Sequence, residues 1–149
     1  MALEQEVMQK MKEAMKAKDT VALASLRSIK SEILKAKTAS SNKEDMSEAE
    51  ELKLVQKLVK QRKDSAQTYK EQNREDLAEA ELAEAKIIEQ FLPAQLSEEE
   101  IGKDVEAIIA ETGASSMKDM GKVMGMASQR LAGKADGKTI SKIVKEKLS

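Results

Sequence analysis

Histidine and cysteine are absent from this 149-residue chain. Their absence removes disulfides, thiolate nucleophiles, Cys/His zinc sites, the usual haem and iron–sulfur ligands and histidine as a general base. Tryptophan is missing too, and the aromatics are Tyr69 and Phe91 alone. Sheets draw on β-branched and aromatic residues, so a sandwich, a barrel or a Rossmann sheet is not expected. Proline occurs once, at Pro93, and five of the six glycines lie from Gly113 onward. No apolar run approaches the roughly 20 residues that a membrane-crossing helix needs. Residues 1–19 include Glu4, Glu6, Lys10, Lys12 and Glu13, a pattern foreign to a secretory signal. The expectation is a cytoplasmic protein with no membrane partner.

What the chain does contain favours helices: Ala, Glu, Lys, Leu and Met dominate. Its 26 basic and 27 acidic residues give a net charge of −1, unevenly spread. Residues 1–46 carry +2, residues 47–112 carry −8 and residues 113–149 carry +5. A basic tail behind an acidic middle bears on partners rather than on fold, and the tail favours something negative.

Helical spacing of apolar residues organises the chain. Leu3, Val7, Met11 and Met15 mark one stripe of a first helix. Asp19 or Thr20 can cap a second, with Leu26, Ile29 and Ile33 inward and an end near Lys37; the small, polar residues 38–45 read as a loop. Ser47 and Glu50 form a capping-box pattern that opens a long third helix through Leu52, Val55 and Val59. A fourth is expected to start at Asn73 and Asp76, to bury Ala80, Ala83, Ile87 and Phe91, and to stop at Pro93. Ser97 and Glu100 open a fifth over Ile101, Val105 and Ile108, with Gly113 as its terminator. Short helices are then expected near residues 117–120, 122–131 and 136–148. The predicted fold is all-α: residues 1–95 as an N-terminal long-helix hairpin bundle, residues 96–149 as a compact unit of short helices.

Several patterns could carry chemistry. Gly137-Lys138-Thr139 ends like a phosphate loop, but that motif needs glycine where Ala132 stands and a strand before it. Capping by Asp136 is the better reading. Ser115-Ser116-Met117-Lys118 and residues 40–43 both fit S-x-x-K, which shows how common that spacing is in a Lys-rich chain; Ser116 reads as a helix cap. Acidic runs such as Glu98-Glu99-Glu100 suit a helix's first turn better than a cation. Methionines 8, 11, 15, 117, 120, 124 and 126 sit at helical spacing, and gap-filling core is the preferred role over an adaptable binding surface. No cofactor, metal or small-molecule substrate is implied.

Basic residues remain the principal signal. Arg27 and Lys30 lie on the second helix, and Lys60, Arg62 and Lys63 on the third. The tail holds Lys122, Arg130, Lys134, Lys138, Lys142 and Lys145. The turn from Gly133 to Lys138 could let backbone amides and two lysines converge on one phosphate. With no aromatics in the tail, contact would be to backbone and shape rather than to single-stranded bases.

At these residues the chain resembles the YqeY family. The resemblance rests on Leu26-Arg27-Ser28-Ile29-Lys30-Ser31, on Asn73-Arg74-Glu75-Asp76-Leu77-Ala78 and on Phe91-Leu92-Pro93-Ala94-Gln95-Leu96-Ser97. The tail, with Gly121, Lys122, Gly125, Gly133, Lys134, Ala135 and Gly137, is similar to the GatB/YqeY domain, which also ends the phosphorylating subunit of the glutamine-dependent tRNA amidotransferase. The resemblance implies an all-α fold in two units and a tail that helps hold tRNA. It implies no catalytic site, because the phosphorylating and amidase domains of that enzyme have no counterpart here; a carbon–nitrogen ligase label would come from the shared tail alone.

The leading expectation is therefore a non-catalytic protein that binds tRNA or a tRNA-handling complex through Lys122, Arg130, Lys134, Lys138 and Lys142, with Gly121, Gly125, Gly133 and Gly137 as structural positions. One alternative is a protein-interaction adapter whose acidic hairpin docks a basic partner. Another is an accessory to an amidotransferase.

Overall fold

A computed structural model describes residues 2–39 and 46–149. Among them are seven α-helices and one 3-10 turn, and no strand. The fold is all-α. The chain divides into two compact units, Met1–Leu92 and Pro93–Ser149, each with its own core.

The first unit holds α1 (Ala2–Ala17), α2 (Thr20–Ala39), α3 (Glu48–Glu71) and α4 (Glu75–Glu89). α1 packs on α2, α3 packs extensively on α4, and α2 also meets α4. Its core gathers Leu3, Val7, Leu26, Ile29, Ile33, Val55, Leu58 and Ile88. Asp19 caps α2, its carboxylate accepting from the Ala22 amide at 3.0 Å, and Ser47 caps α3, its hydroxyl accepting from the Glu50 amide at 3.2 Å. α2 continues to Ala39, two residues past the expected end at Lys37. The remainder of the expected loop, with the second S-x-x-K pattern, lies outside the described residues.

Unit 1 contains no glycine, yet both of its described helix reversals need a left-handed residue. Lys18 takes that place after α1, with φ 57°, and Asn73 after α3, with φ 59°. In both, paired bonds close the last turn: Asp19 to Ala14 and Lys18 to Met15, then Arg74 to Tyr69 and Asn73 to Lys70. This is the Schellman arrangement, which glycine ordinarily terminates. Asn73 is thus the end of α3 rather than the expected cap of α4, which begins after Arg74 with no side-chain cap.

Two expected inner faces are corrected. On α1, Leu3, Val7 and Ala14 are buried while Met15 is 54% exposed. Steps of four residues drift by about 40° each on a helix of 3.6 residues per turn, so Met15 has rotated away from Leu3 and Ala14 has not. On α4 the buried residues are Ala78, Ala85 and Ile88, with Ala80 and Ala83 exposed. Glu81 and Glu84 turn toward α3 because Arg62 awaits them there: its Nε lies 2.9 Å from Glu84 and 3.8 Å from Glu81. An ionic contact has set the face that apolar spacing alone assigned differently. The methionines meet the gap-filling expectation in part. Met8, Met15 and Met117 are exposed, and Met11, Met120, Met124 and Met126 are half-buried against the two cores.

The second unit contains α5 (Glu98–Thr112), a 3-10 turn (Met117–Asp119), α6 (Met120–Arg130) and α7 (Gly137–Leu148). Ser97 caps α5 and Gly113, at φ 70°, ends it. Ser116 and Asp119 form a reciprocal capping box around the 3-10 turn. α5, α6 and α7 pack mutually around Ile101, Val105, Ile108, Val123, Ile140 and Val144. No described helix is long and apolar enough to cross a membrane.

Candidate nucleic-acid interface

The second unit carries nine basic and nine acidic residues. The expected +5 tail is folded against an equal and opposite net charge on α5, which has six acids and one lysine. Glu98, Glu106 and Glu111 each reach a tail cation. Lys142 stands 3.5 Å from Glu98, Lys147 lies 2.5 Å from Glu106, and the Arg130 guanidinium forks onto both oxygens of Glu111. These hydrogen bonds hold the Glu106 and Glu111 carboxyls below the usual glutamate range. Arg130 and Lys142, two of the predicted contact residues, are thus engaged. All of these groups are exposed, and water screens such pairs so that they hold only weakly; a phosphate can exchange for the carboxylate.

The other three predicted contact residues stand free. Lys122, Lys134 and Lys138 are exposed and form no ion pair among the described residues, and Lys118 and Lys145 share that state. Lys118 was missed by sequence reasoning, which attended to it only as part of an S-x-x-K pattern. On α7 the inner face holds Ile140, Ile143, Val144 and Leu148. Lys138, Lys142 and Lys145 therefore lie together on the opposite face, at steps of four and three residues, over a rise of about 10 Å. On α6, Val123 and Ala127 face inward, which turns Lys122, Gly125 and Gln129 to solvent.

The turn before α7 differs from its expected role. Gly133 is buried with φ 78°, and its carbonyl accepts from the Gln95 amide group at 2.8 Å. The Lys134 carbonyl accepts from the Leu96 amide at 3.0 Å. The Lys134 and Ala135 amides donate to the Leu131 carbonyl, and the Thr139 amide donates to Asp136 Oδ1 at 2.6 Å. Those three amides are consumed inside the fold and cannot cradle a phosphate; the side chains of Lys134 and Lys138 remain exposed. Asp136 caps α7, as its sequence position indicated, so Gly137-Lys138-Thr139 is a helix start.

The glycines separate into two kinds. Gly133 needs its positive φ. At Gly121, Gly125 and Gly137 an added Cβ would meet nothing within 4 Å, and none has a positive φ. The fold itself makes no demand for glycine at these three exposed places. In unit 1, Glu81 and Glu84 are spent on Arg62, and Glu89 on Lys63 at 2.7 Å. The hairpin is less available to a basic partner than its charge count suggests.

The model of the YqeY-like proteins matches residues 4–148, almost the full chain. The chain belongs to the YqeY family. Two curated relatives of this YqeY-family protein bear the name Altered inheritance of mitochondria protein 41, mitochondrial. The one from Kluyveromyces lactis is 33% identical over 134 residues, covering 89% of this chain and 68% of the relative. The one from Clavispora lusitaniae is 36% identical over 110 residues, covering 70% of this chain and 61% of the relative. The chain thus spans about three fifths to two thirds of the length of these relatives. Their names place them in mitochondria, which overturns the cytoplasmic assignment. That assignment rested on the lack of a secretory signal or a membrane span, and neither criterion distinguishes one intracellular compartment from another.

Proposed function

We propose that the second unit docks non-catalytically on the phosphate backbone of a structured RNA, tRNA in the first instance. The observation that carries this reading is the set of five exposed tail lysines, 118, 122, 134, 138 and 145, without a carboxylate partner among the described residues, where the other tail cations, Arg130, Lys142 and Lys147, all have one. Unneutralised ammonium groups gain most from meeting phosphates, because their condensed counterions are released. The choice of tRNA over other RNAs rests on the resemblance read in the tail sequence at Gly121, Lys122, Gly125, Gly133, Lys134 and Ala135. Contact to phosphates alone carries no sequence information.

The test is charge reversal. Lys134→Glu with Lys138→Glu should weaken binding to bulk tRNA at least about tenfold at about 50 mM salt, and by the same factor for each purified tRNA. Unchanged affinity, or a loss confined to one tRNA, contradicts the reading.

A further inference from the structure

Unit 1, which the RNA reading does not use, contains an open groove of about 460 Å³ between α2 and α3. One wall is the Ala24, Arg27-Ser28 and Ser31 face of α2, which includes part of the segment that carries the family resemblance; the other is Leu58, Gln61 and Arg62 of α3. The volume falls within the range of small-molecule sites, and the lining is mainly polar, with Ala24 and Leu58 its apolar members.

The polar groups divide by what they already hold. Arg62 is committed: it faces Glu84 and Glu81, and its Nη2 donates to Ser28 Oγ at 3.0 Å. Ser28 in turn reaches the Ala24 carbonyl at 3.4 Å. This pair braces the two walls. Glu32, the one acid lining the groove, is drawn onto Lys35 at 3.3 Å. Arg27, Ser31 and Gln61 are all exposed, and none has a side-chain hydrogen bond or ion pair among the described residues. A guanidinium, a hydroxyl and a carboxamide, all able to donate, thus open on one groove with their hydrogen-bonding capacity unspent.

We infer that this groove is a binding site for a small organic phosphate, with Arg27 holding the oxyanion, Ser31 and Gln61 donating to it, and the organic part lying over Ala24 and Leu58. A guanidinium fork matches the paired oxygens of a phosphate and makes charge-assisted bonds to them. The site is independent of the lysines of the second unit.

The experiment is a titration of the ¹⁵N-labelled full chain, at constant ionic strength, with inorganic phosphate, with adenosine 5′-monophosphate and with chloride as control. The expected result is saturable shifts of the Arg27 guanidinium and the Gln61 side-chain amide with either phosphate and not with chloride. Tighter binding of the nucleotide shows that the organic part is held as well; equal binding assigns the site to the phosphate group alone, free or esterified. Arg27→Gln should weaken binding about tenfold and Arg27→Lys less, because lysine keeps the charge and loses the fork. Arg27 touches no other side chain through a bond or ion pair, so these variants should keep the parent circular dichroism. The response should persist in the Lys134→Glu, Lys138→Glu double variant, whatever that variant does to RNA binding. Shifts that fail to saturate, that chloride reproduces, or that survive Arg27→Gln overturn the inference.

Discussion

Replacing Arg62 with methionine tests how unit 1 is held together. The Arg62 side chain is 22% exposed, and its partners Glu81 and Glu84 are 26% and 30% exposed. Methionine keeps much of the packing volume and removes the cation, which strands two carboxylates on the α3–α4 seam. Breaking a fully buried ion pair costs about 3–5 kcal/mol, and an exposed pair contributes about 0–1 kcal/mol. The intermediate exposure places the cost near 2 kcal/mol, a shift of about 1 M in a urea midpoint. Tyr69 lies on α3 and the chain has no tryptophan, so intrinsic fluorescence reports the unfolding of unit 1 specifically. Adding Glu81→Gln and Glu84→Gln to Arg62→Met removes the stranded charges and should recover most of the loss. A single variant within about 0.5 kcal/mol of the parent, or a triple variant no better than the single, refutes the reasoning.

Other expectations follow from the backbone and the carboxylates. Lys18→Gly should stabilise unit 1 by about 0.5–1 kcal/mol, and Asn73→Gly by less, since asparagine tolerates the left-handed region better than lysine does; paired urea midpoints measure the difference. Gly121→Ala and Gly125→Ala should each raise the stability of the second unit by about 0.5–1 kcal/mol, because both lie in a helix and the new methyl meets nothing, whereas Gly113→Ala at φ 70° should lower it. Glu4, Glu106 and Glu111 are pulled below the ordinary glutamate range by Lys37, Lys147 and Arg130. Their stabilisation is complete above the unfolded glutamate value of about 4.3 and is lost as pH falls through the lowered folded values. With no histidine in the chain, melting temperature should be level from about pH 6 to 8 and drop below about pH 4; a step near neutrality would refute this.

Much of the fold was legible because amphipathic spacing and capping residues are local. Leu26, Ile29 and Ile33 on α2, the Ser47 and Ser97 caps, Gly113 and Asp136 all occupy the places their chemistry indicates. The misreadings came where a non-local partner decided. Arg62 draws Glu81 and Glu84 inward, which no count along α4 anticipates. The turn at Gly133 is claimed by Gln95 and Leu96, which lie 38 residues earlier in the chain. The candidate site was legible only as a supply of lysines. Which of them would be neutralised depended on the face that α5 presents, and Glu98, Glu106 and Glu111 select Lys142, Lys147 and Arg130.

The salt dependence of tRNA binding tests the central claim most directly. Four or five unpaired lysines on phosphates predict binding tighter than about 100 μM at about 50 mM salt, with a slope of log K against log salt near −4. Replacing Lys134 and Lys138 by glutamine should make that slope shallower by about 2. No binding under these conditions, or a slope unmoved by losing both lysines, would contradict the account.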